Sequence, residues 1–430
     1  MPEAPGAPHS SSESRAAPGR GWSAGPLRER SFRLLFASRA VSSVGNRLVP
    51  VALAFAVLDI GTVTDLGIVM AAEASALVGF VLLGGVWADR LPRRTVMVLA
   101  DTVRMLAQAI SAALLIAGVA HVWELAVLQA SYGAAEGFWG PAAIAIVPEV
   151  AAAEDLQQAN ALVGLSENAA TVLGPALAGV IVAAASPGWG LATDGASFFV
   201  GGALLLAMKA GRGAPPASER RAGVIAEMRD GWGVFRSMRW LRTTVLFFTL
   251  YMALVYAPFQ VLGPAVARDS LGGTGAWAAI STALGIGAVL GGFAGLRWRP
   301  ARPLRAGVLM FLWGGPPMFV LLALHAPLWT IIVVAVLDGS AGSVFNAFWF
   351  TAMQARVRPG DLSRVSSWDS LGTVVLEPVG LAVVGPVAAA AGFSATLYAA
   401  AAISVGLTLA LLAVRDVRDL GAPEATPAEQ

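Results

Sequence analysis

The chain has no cysteine, only three histidines and few charges. Without thiols, disulfides and thiolate metal sites are excluded. His9, His121 and His325 are far apart in sequence, so no metal centre is expected. Charged residues make up 13% of the chain, where soluble proteins carry about 25%. There is no phosphate-binding glycine loop, nucleophile–base pair or metal-ligand cluster. An enzyme is therefore the least favoured class, with no cofactor and no use of ATP expected. The sequence pI of 9.4 suggests a nucleic-acid partner. The placement of the basic residues argues against one, because they fall in short segments between apolar runs.

What the chain does have is apolar length. Hydrophobic residues are 57% of the total, and mean hydropathy is +0.69. Glycine (48) and proline (25) are abundant, as suits packed transmembrane helices. A helix needs about twenty apolar residues to cross the hydrocarbon. Twelve runs qualify, at roughly 33–58, 64–88, 94–117, 122–147, 160–184, 189–208, 241–266, 274–296, 304–324, 328–351, 364–388 and 394–414. Backbone groups cannot go unpaired in lipid, so these runs should be helices. Turn signals separate them, such as Ser186-Pro187-Gly188 and Leu271 to Gly275.

The basic residues give an orientation. With an inside N-terminus, 25 of the 29 Lys and Arg residues fall on the cytoplasmic side. Arg268 alone falls outside, and Arg39, Arg47 and Arg104 lie within spans. The reading is a multi-pass protein of the cell membrane with both termini cytoplasmic. The first thirty residues lack an apolar core and read as a disordered tail.

The two halves of the chain look related. Shifts of about 204–207 lay His121 over His325, Gly174 over Gly380 and Gly179 over Gly385. The expected organisation is a tail (1–30), a six-helix bundle (31–208) and a basic linker (209–240). A second six-helix bundle (241–415) and a tail (416–430) follow. The linker carries an amphipathic stretch from Val224 to Trp240, expected to lie on the membrane surface.

One loop carries more information than the rest. Gly84 to Arg94 reads GGVWADRLPRR between the second and third runs. Its Gly85, Asp89, Arg90, Arg93 and Arg94 resemble the signature loop of the major facilitator superfamily. The resemblance implies an all-α integral membrane fold of twelve transmembrane helices in two pseudo-symmetric bundles. It also implies a latch between the halves built on Asp89 and its arginines, docking on the N-terminus of the eleventh span. The counterpart loop, Gly291 to Arg302, has Leu296 where the acid would be.

A second motif, Ala170 to Gly179, resembles the superfamily's antiporter motif, with Gly174, Pro175 and Gly179 in place and alanine at two glycine positions. The resemblance implies export. Asp101-x-x-Arg104, Pro148-Glu149, Gly231-Trp232 and Arg364-Val365-Ser366-Ser367 resemble the branch with macrolide-efflux proteins and the enterobactin exporter. That branch often has an aspartate where this chain has Asn46, so no coupling role carries over to it.

Ionisable groups inside a membrane are costly and point to function by default. Those that qualify within the predicted spans are Arg47, Glu73, Asp101, Arg104, Glu136, Glu167, Asp194, Asp338, Asp369 and Glu377. Depth arithmetic places Arg47 level with Glu73, and Arg104 level with Glu136. Asp101 and Arg104 share a helix face. Ion pairs are expected among these. A carboxylate withdrawn from water can exchange a proton near neutral pH. The candidates for proton coupling, in order, are Glu136, Glu73, Asp338 and Glu377. Trp139, Tyr256, Phe345 and Trp349 are candidates for an aromatic cavity wall.

These features point to a secondary transporter in the lipid bilayer, exchanging protons for a hydrophobic or amphipathic small molecule such as an antibiotic or siderophore. Two rivals stay open: a nutrient importer or facilitator of the same fold, and a non-transporting sensor or scaffold.

Overall fold

The computed structural model describes residues 25–88, 91–209, 224–358 and 360–421, without the side chains of 82–88, 224–230 and 363. Among the described residues the regular structure is entirely helical. The first half contains α1 (Arg30–Ile60), α2 (Val63–Ala88), α3 (Arg93–Ile116), α4 (Val122–Ala145), α5 (Leu156–Ala184) and α6 (Pro187–Ala207). A linker helix, α7 (Val224–Ser237), follows. The second half contains α8 (Arg239–Leu271), α9 (Thr274–Arg297), α10 (Pro303–Ala323), α11 (Leu328–Arg356), a two-piece α12 (Leu362–Val374 and Glu377–Ala391) and α13 (Phe393–Ala413).

Eleven of these segments are long and apolar enough to cross a membrane. The twelfth predicted span, α4, has the length but not the hydropathy. Its 24 residues include Glu124, Gln129 and Glu136. It packs lengthwise against α2 and α3 all the same. The polar groups are matched by neighbours: Glu136 pairs with Arg104, and Gln129 donates to Gln108 at 3.4 Å. Composition understates this span because its polar side chains face the bundle.

Two spans are less regular than expected. The eleventh is not one helix but breaks at Val375-Leu376. Pro378 has no N–H for the Val374 carbonyl, and its ring crowds that turn. The seventh passes through π turns at Met252–Tyr256 and Ala267–Leu271. The first of these precedes Pro258 and the second follows Pro264, each of which removes one ladder bond. The predicted turns form where expected: Pro187 starts α6, and Gly272 and Gly273 take positive φ before α9.

Within the first half, α1 packs on α5 and α6, α3 on α4 and α6, and α2 on α4. In the second, α11 packs on α9 and α10, and α10 on α13. Two helix pairs make most of the contact between the halves, α2 with the second piece of α12 and α5 with α9. Missing side chains make these seams possible. A Cβ on Gly67 would lie 2.3 Å from the Leu381 carbonyl, and one on Gly285 2.3 Å from that of Thr171. A Cβ on Gly385 would lie 2.4 Å from Thr64, and one on Gly179 2.6 Å from Ala278. The residues in these contacts run from the end of the bundle near Ile60 to its middle. At that end Arg268 donates to the Leu58 carbonyl at 2.6 Å.

The linker helix, expected to lie on the membrane surface, packs against the second half. Trp232 stacks on Phe235 and approaches Trp368 of α12, with centroids 4.8 Å apart in the second pair. Phe235 is buried, and Gly231 touches Arg364. The apolar face of α7 is thus taken up by α12. Its helix ends at Ser237, short of the expected Trp240, and Arg239 opens α8.

Candidate functional site

Two polar centres and one aromatic cluster lie inside the bundles. The first centre is built around Arg104. Its guanidinium is fully buried and bonds Asp101 on the same helix and Glu136 on α4. Phe198, Trp139 and Tyr132 surround it at 4.3, 4.9 and 6.0 Å from the ring centroids. A buried cation needs such compensation, and two carboxylates plus three ring faces supply it. Asp194 of α6 is also fully buried nearby, bonded through one oxygen to Ser197 at 3.4 Å. Arg39 forms a parallel clamp, to Glu167 at 2.6 Å and the Ala143 carbonyl at 3.0 Å.

The second centre is a cavity of about 170 Å³ on the seam between the halves. Glu73 of α2 and Glu377 of α12 both line it, with Asn46, Tyr132 and Gln260. Tyr132 donates to Asn46 at 2.9 Å. The remaining wall is apolar and includes Leu53, Met70 and Leu77. Two acids from opposite halves therefore face one small space.

The expected Arg104–Glu136 and Asp101–Arg104 pairs are present. The expected Arg47–Glu73 pair is absent: Arg47 is exposed and makes no ion pair with a described residue. Level depth was satisfied, but azimuth was not. Arg47 turns its Cβ toward α5, 2.4 Å from where a Cβ on Gly174 would be. Asp338 stands apart from the seam cavity, beside Gly314 of α10, close to Gly315, Tyr251 and Ser404.

In the antiporter-like motif, Gly174 faces α1 and Gly179 faces α9. Five residues on a helix turn about 140°, so one motif serves two packing faces. Pro175 is buried within an unbroken α5.

For the signature loop, Asp89 and Arg90 lie outside the described residues, and Gly85 lies in the stretch of α2 whose side chains are not described. Arg93 bonds the Ala145 carbonyl and Glu149, the latter at 2.7 Å, and Arg94 bonds the Leu206 carbonyl. Both arginines thus hold C-terminal carbonyls of their own half, where a cation is favoured.

The aromatic wall is corrected at Phe345 and Trp349. Phe345 and Trp349 are buried, packed with Phe248, Phe311 and Trp240 in the core of the second half. Trp349 also donates to Asp369 at 3.2 Å. Trp139 covers Arg104 and Arg39 instead of the seam cavity. Tyr256 is partly exposed within the first π turn but does not line that cavity. Phe345 and Trp349 serve packing, while Tyr132, Asn46 and Gln260 line the cavity. The signal for these was available: each is a polar group within an apolar span.

Two six-helix halves that meet along two glycine-lined seams, with two acids facing one space between them, are the architecture of a membrane transporter. The chain belongs to the Major Facilitator Superfamily, whose family model matches residues 35–354. Among its relatives is the multidrug efflux pump Tap of Mycobacterium tuberculosis, 27% identical over 92% of this chain and 96% of the relative. The enterobactin exporter EntS of Escherichia coli is 26% identical over 90% of this chain and 93% of the relative. In fold the chain is similar to a bacterial homologue of the lysosomal transporter Spinster, with TM-score 0.71, 14% identity and coverage of 93% and 98%. The nucleoside transporter NupG is similar at TM-score 0.67 and 15% identity, with coverage of 90% and 98%.

Proposed function

We propose that this transporter is a proton-coupled exporter of hydrophobic or amphipathic small molecules. The observation that carries the reading is the shared cavity of Glu73 and Glu377. These carboxylates come from the two helices that form one seam between the halves. Two negative charges in one low-dielectric space repel, and a proton on either relieves that repulsion. Protonation is therefore coupled to how closely the halves approach at this seam. Glu136, first among the candidates by sequence, is engaged with Arg104, which favours Glu73 and Glu377 over it.

Export is supported by the names of the relatives, an efflux pump and an exporter, and by the Gly174–Gly179 motif. Antibiotics and siderophores are the substrate classes those names suggest. Under the positive-inside orientation, the end held by Arg268 is the outer one, and the state is taken as closed there. Alternating access then proceeds by rocking of the halves about the seams.

The test is transport by everted vesicles with an imposed proton gradient, screened over antibiotics and siderophores. Accumulation that collapses with the gradient supports the reading. Uptake by intact cells without efflux would replace it with the importer.

A further inference from the structure

A cavity of about 440 Å³ is remote from the seam and has no part in the reading above. It lies at the end of the second half where α9 passes into α10, beside α11 and the C-terminal residues Leu420 and Gly421. Its volume falls in the range of about 300–1,000 Å³ that encloses organic ligands. The floor is apolar: Leu304 and Phe348 are buried, and Trp298 packs on Phe348 with centroids 5.7 Å apart. The rim carries Arg299 and Arg356, and no acid is among the lining residues.

The charge at this rim is available. Arg299 forms no ion pair with a described residue, and Arg356 gives one nitrogen to the Gly421 carbonyl at 2.9 Å. Asp419, just before the lining residues Leu420 and Gly421, is already engaged by Arg302 and Arg418, both at 3.3 Å. The Arg418 hydrogen bond holds its carboxyl below the usual aspartate range, so it stays ionised. It is shared between Arg302 and Arg418, and no described carboxylate pairs with Arg299 or Arg356. Leu296, 73% exposed, and Trp298 at the edge mark the lipid side of the basin.

We propose that this basin binds one anionic phospholipid of the adjacent leaflet, with its headgroup phosphate between Arg299 and Arg356 and the start of an acyl chain on the Trp298–Phe348 floor. A guanidinium pair matches a phosphate's charge and fork geometry. An aromatic and aliphatic floor matches a hydrocarbon chain, and a soluble anion would not need it. Basic pockets between spans are suited to such headgroups.

The experiment is native mass spectrometry of the full chain in detergent, titrated with phosphatidylglycerol or phosphatidylcholine. One phosphatidylglycerol should be retained in preference to phosphatidylcholine. The double substitution Arg299→Ala/Arg356→Ala should weaken retention about tenfold or more. Arg415→Ala, an exposed arginine outside the basin, should not. Thr351→Trp adds bulk at a lining position without changing charge and should also displace the lipid. Each variant is checked for folding by its elution profile and helical signal. If Thr351→Trp retains the lipid normally, the chain is not in the basin and the proposal fails. Equal retention of both lipids, or of phosphatidylglycerol by the double variant, overturns it as well. So does full competition by inorganic phosphate, which would mark a site for simple anions.

Discussion

Arg268 reaches across the gap between the halves to the backbone carbonyl of Leu58, 2.6 Å away. That carbonyl is among the last four of α1, which have no N–H partner further along the helix. A cation there also meets the negative end of the helix dipole. Asp269 pairs with the same guanidinium at 3.0 Å. Arg268→Ala should therefore loosen this end. The side chain is 35% exposed, so the loss belongs at the lower end for charge-assisted bonds, about 1–1.5 kcal/mol. The ratio of closed to open at this end should fall by about fivefold to tenfold. Because the chain has no cysteine, spin labels at Val119→Cys and Ala391→Cys report their separation without background. A longer distance in the Arg268→Ala protein is expected.

The seam between α5 and α9 offers a steric test. A Cβ on Gly285 would sit 2.3 Å from the Thr171 backbone oxygen, a contact that no side-chain rotation relieves. Gly285→Ala should push the halves apart while leaving each bundle intact. Transport should be lost and membrane insertion kept. Gly342 has nothing within 4 Å of its Cβ position, so Gly342→Ala is the matched control and should transport normally.

The fold was legible in the sequence for a simple reason. Lipid forces backbone pairing within each segment, so apolar length translates directly into helices. Even α4, too polar by hydropathy alone, was recoverable from its length and turn signals. The breaks at Val375-Leu376 and Met252–Tyr256 were less visible, although Pro378 and Pro258 mark them. The site was harder. Depth along a helix follows from residue number, and it paired Arg104 with Glu136 correctly. It also paired Arg47 with Glu73 wrongly, because rotation about the helix axis depends on which neighbours a helix has. The same limit put Phe345 and Trp349 on the cavity wall, whereas they fill the core between α8, α10 and α11.

Phe345 turns that correction into an experiment. It is buried against Phe248 at 4.9 Å and Phe311 at 5.5 Å. Phe345→Ala should cost about 3–5 kcal/mol of stability, as large aromatic truncations do. The melting temperature should fall, while the substrate preferences of the folded fraction stay the same. A changed substrate spectrum with unchanged stability would restore the cavity role.

Glu73 and Glu377 should behave alike, and unlike Glu136. Replacing either seam acid by glutamine removes a proton site without removing volume. Glu73→Gln and Glu377→Gln should flatten the pH dependence of transport and leave the protein stable, since neither makes an ion pair with a described residue. Glu136→Gln should leave a pH response but lower stability, because Arg104 loses a charge partner. Pumping by the three variants across a range of external pH, set beside their melting temperatures, separates the two classes. A normal pH response in both seam variants counts against the coupling site.

Arg104 is the most demanding residue in the first half. Its guanidinium is fully buried, and Asp101 and Glu136 depend on it for compensation. Arg104→Met keeps most of the stem packing against Phe198 and Trp139 but strands the acids. Breaking a buried pair from one side typically costs about 3–5 kcal/mol, so this variant should express poorly. Adding Asp101→Asn removes the more deeply buried of the stranded charges and should recover a large part of the loss. A double-mutant cycle on melting temperature measures that coupling. Full recovery of stability without recovery of transport would show that the pair organises the site beyond holding α3 and α4 together. Additive losses would mean that Asp101 and Arg104 do not depend on each other, contrary to their contact.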